Sequence, residues 1–309
     1  MKRVISKTGL AATVISFFCF LNVNLGNVAF ADTSQQTTVA VNVQIQQNLK
    51  NVIDWTKGAD SDMTVIGIGL PPQNAGNNGA TLARRAAIVD AYRNLAEMIE
   101  GVQVDAETVM KDFMVQSDSV RTQVNALIKG AKIIEEGSSN DGRYFVKMSI
   151  PLYGTKDSLA AIAIPRISSS VAEPLLPANT DRISRKDVKA IKKASYTGII
   201  IDAHGLGLES TFSPVIYDTS GRAIYGIKNI DPDFAISQGM VEYAISLDNV
   251  LTKSRAGSNP LVIKAITVQG GRNSANRVNV VVSLEDADRI LLANEKNGIL
   301  ENCAVVFVK

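Results

Sequence analysis

The side chains able to do chemistry are few, and no group of them makes a complete catalytic set. His204 is the single histidine, in Asp202-Ala203-His204-Gly205. A nucleophilic triad or a zinc site built on it must recruit distant partners, because there is no second histidine and no retained cysteine pair. It reads as a surface histidine at a strand end. Glu135-Glu136 and Asp231/Asp233 supply the carboxylates that glycoside hydrolysis uses, but that chemistry needs two of them facing across a cleft. Such pairs read as solvated strand ends or helix caps. Gly67-Ile68-Gly69-Leu70-Pro71-Pro72 follows a strand and precedes a helix, as a phosphate loop does. It lacks the third glycine, and its prolines remove amides that would hold a pyrophosphate. Gly205-Leu206-Gly207 fails in the same way, so both are expected to be tight turns. The sequence thus offers no catalytic residue, no cofactor site and no metal site, and the chain is read as non-enzymatic. The alternative is a secreted hydrolase using carboxylates.

Arg84 breaks its local pattern. It falls in the first turn of a helix over 81–100, on the apolar face with Ile88 and Ala91, where the helix dipole disfavours a cation. Either the side chain snorkels past the sheet edge to a carboxylate, or it meets a partner molecule. It is the one candidate partner contact.

The elements around it follow from periodicity. Residues 64–70 read as a strand. In the helix Ile88, Ala91, Tyr92, Leu95, Met98 and Ile99 share one face, Arg93 and Glu97 stand at i,i+4, and Gly101 stops it. Val102, Val104 and Ala106 alternate with polar residues, the period of a half-buried strand. Ser117-Asp118 caps a second helix with Val120, Val124, Leu127 and Ile128 on one stripe, ended by Gly130. A hairpin follows over 131–136 and 143–150, with Tyr144, Val146, Met148 and Ile150 pointing one way. Prolines 165, 174 and 177, a serine run and the basic cluster 182–193 mark a connector. Beyond it, 199–201, 215–217, 223–225, 261–268, 278–282 and 303–308 read as strands. Asp231-Pro232 and the capping box Ser283-Leu284-Glu285-Asp286 open helices. The expected fold is α+β in two domains, each a mainly antiparallel sheet with packed helices.

The start of the chain carries an address. Lys2, Arg3 and Lys7 precede an apolar run over 9–21, and the segment closes on Ala29-Phe30-Ala31 before Asp32, the layout of a cleaved secretory signal. Asn22, Asn24 and Asn27 interrupt the run too early for a retained membrane anchor. Cys19, preceded by Phe17-Phe18, makes a poor lipid-attachment site. Cleavage removes three of the 32 basic residues and none of the 30 acidic ones, leaving 29 against 30. A near-neutral chain without a long basic block argues against nucleic acid as partner. Only Cys303 then remains, so no internal disulfide forms, and it reads as a small buried residue of the closing strand. The organisation is signal 1–31, arm 32–62 with Trp55 tucking it onto the first domain, domain 63–155, linker 156–195 and domain 196–309.

Thr64-Val65-Ile66-Gly67-Ile68-Gly69, Ala83-Arg84-Arg85-Ala86-Ala87, Ala91-Tyr92-Arg93-Asn94-Leu95-Ala96 and the hairpin end Tyr144-Phe145-Val146-Lys147-Met148-Ser149-Ile150-Pro151 together resemble the Lpp-twenty-type envelope lipoprotein family. That family is similar in its helix and sheet to the N-terminal domain of flagellar assembly protein T. The resemblance covers about 63–153. It implies an α+β fold, an envelope location and no known catalytic activity, and the chain is accordingly read as an extracytoplasmic protein whose partners are envelope or surface-structure proteins, flagellar ones among them, or further copies of itself. The chain departs from the lipoprotein members in lacking their lipid-anchor cysteine. Its second domain resembles an extension seen in longer relatives. N-terminal sequencing of protein from the native host is expected to begin at Asp32; a start at Met1 would refute the export signal.

Overall fold

The computed structural model describes residues 51–309 other than 75, 105–107, 155, 168–174, 253 and 271–275. The expected signal, its Ala31/Asp32 junction and most of the arm lie outside the described residues. The first half contains β1 (Val52–Ile53), β2 (Asp62–Gly69), α1 (Gly79–Glu100), α2 (Met110–Gln116), α3 (Asp118–Lys129), β3 (Lys132–Ser138) and β4 (Tyr144–Pro151). Its sheet runs β1-β2-β4-β3 and is antiparallel throughout.

Helix α1 lies on this sheet more closely than side chains ordinarily allow. A Cβ on Gly67 would stand 2.0 Å from the Ala87 carbonyl oxygen, and one on Gly69 1.9 Å from that of Ala83. Neither glycine is in a turn, contrary to the sequence reading. Both are inside β2, and they are bare because the helix backbone occupies the space. The helix answers with Ala83, Ala87 and Ala91, all fully buried, and the row continues through Leu95 and Ile99. Polar side chains of α1 then finish the edge of β2 that the short β1 leaves uncovered. Asp90 Oδ2 accepts from the Ile68 amide at 2.9 Å, and Asn94 Nδ2 donates to the Ile66 carbonyl at 2.7 Å.

Between the halves stand α4 (Leu159–Ile167) and α5 (Arg185–Lys193). Of the stretch 156–195, read as a linker, the described part holds these two helices, and Leu159, Ala160, Ala163 and Ile164 are fully buried. The second half has β5 (Gly198–Asp202), β6 (Ile216–Asp218), β7 (Ala223–Tyr225), α6 (Pro232–Gln238), β8 (Glu242–Ala244), α7 (Leu247–Thr252), β9 (Pro260–Lys264), β10 (Thr267–Gln269), β11 (Asn279–Val282), α8 (Leu284–Asn297) and β12 (Val305–Val308). The α+β class holds in both domains, but the antiparallel expectation is met fully only in the first. The order β10-β11-β6-β7 is mixed, with β11 and β6 parallel, and β8-β12-β5-β9 is parallel throughout. Strands apolar on both faces suit a parallel sheet covered on both sides. Ile199, Ile201, Val305 and Phe307 enter the main core, while Ile200, Val306 and Val308 pack with Val250 of α7 in a smaller cluster.

The main core runs without a break from Met63 of β2 to Phe307 of β12. Trp55, expected to hold the arm to the first domain, meets Tyr243 of β8 edge-on instead, centroids 6.3 Å apart. Tyr153 stacks on Phe212 at 5.8 Å, and Gly239, at φ 81°, lies so close under the Tyr153 ring that a Cβ would come within 2.6 Å of it. Two other expectations change. Of the strand expected over 102–106, Ala106 lies outside the described residues, residues 102–104 make only the bridge Gln103–Val109, and α2 follows unforeseen. Cys303 is buried, but in a turn ahead of β12 at φ 54°, and burial pushes its thiol up to about 11.

Gly67→Ala sets a methyl group against helix backbone that has nowhere to go, and should cost about 3 kcal/mol or more in urea denaturation. Gly101→Ala, whose methyl would meet nothing nearer than 3.7 Å, serves as the control with little change.

Candidate functional site

Strand β3 closes one side of the first sheet and is exposed along nearly its whole length. It pairs with β4 alone, and among the described residues no backbone hydrogen bond reaches its outer side. The hairpin turn that presents it is fixed by Asp141, which accepts from the Arg143 amide at 3.2 Å and from the Ser139 hydroxyl. That hydroxyl, with the Arg143 amide and guanidinium, holds the Asp141 carboxyl below its usual range. A bulge between Ile133 and Glu135 leaves Ile134 without a partner on β4. Ile133 is 39% exposed and Ile134 54%.

The register assigns the charges to faces. Ile133 opposes Met148 and Glu136 opposes Val146, on the side that α1 covers, whereas Lys132 opposes Ser149 and Glu135 opposes Lys147 on the other. Arg84 reaches from the second turn of α1 to Glu136 with both arms of its fork, Nε to Oε2 at 2.8 Å and Nη2 to Oε1 at 3.2 Å. The hydrogen bond and charge of Glu136 raise the Arg84 guanidinium above its ordinary value. The pair is half-open to water, 42% and 34% exposed, so the snorkelling reading describes it and no desolvated charge is left over. Glu135 meets Lys147 at 3.7 Å. The two neighbouring glutamates therefore diverge, each answered by a base on its own face.

The remaining sequence candidates are scattered. His204 is exposed, its amide donating to Asp202 Oδ1 at 3.0 Å. Asp231 caps α6, accepting from the Asp233 amide at 2.9 Å. A half-open cleft of about 750 Å³ lies between α3, α4 and the ends of β3 and β4, with Lys132, Lys156 and Asp157 at its rim.

One charged centre was missed. Asp288 of α8 is fully buried and accepts from the Ala178 amide at 2.6 Å, the Asn179 amide at 3.3 Å and Arg182 Nη1 at 3.2 Å. Arg222 lies 3.7 Å from it and donates through Nε to Asp218 Oδ2 at 3.0 Å. Burial pushes the Asp218 carboxyl up, but Ser220 and Arg222 outweigh it and hold the group below its usual range. The signal was present: Asp288 interrupts an apolar stripe of Ala287, Ile290, Leu291 and Leu292. This network pins the segment 178–182, ahead of α5, onto α8.

Residues 54–150, the sheet with its helix and open edge, match the model of the LPP20 lipoprotein family. The first domain is of the LPP20 type. Residues 198–309 match the model of the second domain of Treponema pallidum Tp0624. No curated protein matches the chain. The matched model is that of a lipoprotein family, and among the described residues no helix is long and apolar enough to cross a membrane.

The two kinds of ion pair should separate in a melting series. Arg84→Ala, at a half-open pair, is expected to shift the melting temperature by no more than about 2 °C. Asp288→Ala strips a buried acceptor from two amides and an arginine and should cost about 3 kcal/mol or more.

Proposed function

We propose that this LPP20-type protein is exported, has no catalytic activity, and works in the cell envelope through protein–protein contacts, in the assembly of a surface structure such as the flagellum. The observation that carries this reading is the open edge of β3. An unpaired strand with two exposed isoleucines is a template for another chain, and folds that have no use for such an edge blunt or cover it. The bulge at Ile134 bends this strand but leaves its outer side uncovered.

The paired carboxylates support the non-enzymatic side of the reading. Glu135 and Glu136 point to opposite faces of one strand, and each is held by a basic side chain. Asp231 spends its acceptor on a helix start. Arg84 keeps Glu136 neutralised beside the edge, a supporting role in the contact.

A photo-crosslinking residue at Ile134, with one at the exposed Val262 of β9 as control, tests the reading in envelope fractions of the native host. Adducts from position 134, to another envelope protein or to a second copy of this chain, and none from 262 are the expected result. Absence of any adduct at 134, together with turnover of a polysaccharide or peptide by the purified protein, would replace it with the hydrolase.

A further inference from the structure

We propose that the outer edge of β3 takes the β3 of a second copy of this chain, antiparallel about a two-fold axis, so that two four-stranded sheets join into one. The proposal rests on the contact reading above and names the partner. Its basis is the order of residues along the strand, Lys132-Ile133-Ile134-Glu135. Run antiparallel against itself, this segment is its own complement. Lys132 comes opposite Glu135 of the other copy, Ile133 opposite Ile134, and the two-fold axis repeats each pair. Opposite charges and apolar pairs directly across from one another stabilise an antiparallel ladder, and like charges there oppose it.

Three features of the structure fit this register. Residues opposed in an antiparallel pair must point to the same face, and Lys132 and Glu135 do, both lying away from α1 by their pairing with Ser149 and Lys147. Glu135 already has Lys147 of β4 at 3.7 Å, so the second copy's Lys132 completes a base–acid–base row across three strands. Glu136, which would otherwise add an unanswered negative charge beside the joint, is neutralised by Arg84 from α1. The joint also covers Ile133 and Ile134, the exposed apolar residues of this strand. The closeness of basic and acidic counts, 32 against 30, means that two copies meet without strong net repulsion. Such an interface is isologous and closes at two copies.

Sedimentation equilibrium on the full chain tests the proposal through charge reversal. Wild type should show a monomer–dimer equilibrium. Lys132→Glu sets two glutamates opposite each other at both ends of the joint, and Glu135→Lys sets two lysines there. Each alone should weaken self-association by about tenfold or more. An equimolar mixture of the two variants restores complementary pairs and should form the mixed dimer, which a folding defect cannot produce. A wild type that stays monomeric to about 100 μM, or variants that associate unchanged, overturns the proposal. If adducts to other envelope proteins at Ile134 persist alongside a monomer, self-pairing fails and the contact reading stands. If both vanish, both fail.

Discussion

Helix α1 touches β2 backbone to backbone, and most of the first domain is arranged by that contact. Two glycines on the strand and a row of alanines on the helix leave nothing larger than a methyl group in this part of the seam. The separation of helix and sheet is then fixed by main-chain atoms, which do not change rotamer. Close packing of this kind tolerates little change in volume. It also fixes the helix's roll: with Ala83, Ala87 and Ala91 turned down, Asp90 and Asn94 fall beside the β2 edge and Arg84 falls beside β3. The polar work at both sides of the sheet follows from the apolar seam in its middle.

The joint between the halves is made differently, with large rings in place of bare backbone. Trp55 and Tyr153 come from the first half, Phe212, Tyr243 and Phe307 from the second. Aromatic side chains bury much area at little conformational cost and prefer the edge-on and stacked contacts found here. The segment leading to α5 is held separately by the buried carboxylate Asp288. The described residues accordingly form one compact unit, although two family models divide it.

Local periodicity carried much of this architecture into the sequence. Helix α3 is the clearest case: Ser117 caps it through the Val120 amide, and Val120, Val124, Leu127 and Ile128 are the residues it buries. The β3–β4 hairpin and the capping box at Ser283 were legible for the same reason, since each depends on neighbours in the chain. What could not be read depended on distant residues. Nothing near Gly67 announces that a helix twenty residues on will press against it. Trp55 gives no sign that its partner is Tyr243, and a run of apolar residues such as 199–201 does not say whether its neighbours are parallel. At the candidate site Arg84 was identifiable as a break in a pattern, while Glu136 as its partner required the register of β3.

The two sides of the first sheet are not equivalent. Along β2, past the two residues of β1, the main chain is already spoken for by Asp90, Asn94 and Asn51, whose side chains occupy the amides and carbonyls a further strand would need. Such a stretch is plugged, and among the described residues of this sheet the side left open to a further strand is that of β3. A sheet with two reactive edges polymerises without limit, as fibrils do. A sheet with one behaves like a monofunctional reagent in a condensation: it adds once and stops. In the proposed pairing, stoichiometry would rest on three side chains at the edge remote from the contact, and opening that plug would turn a terminator into a monomer for a filament.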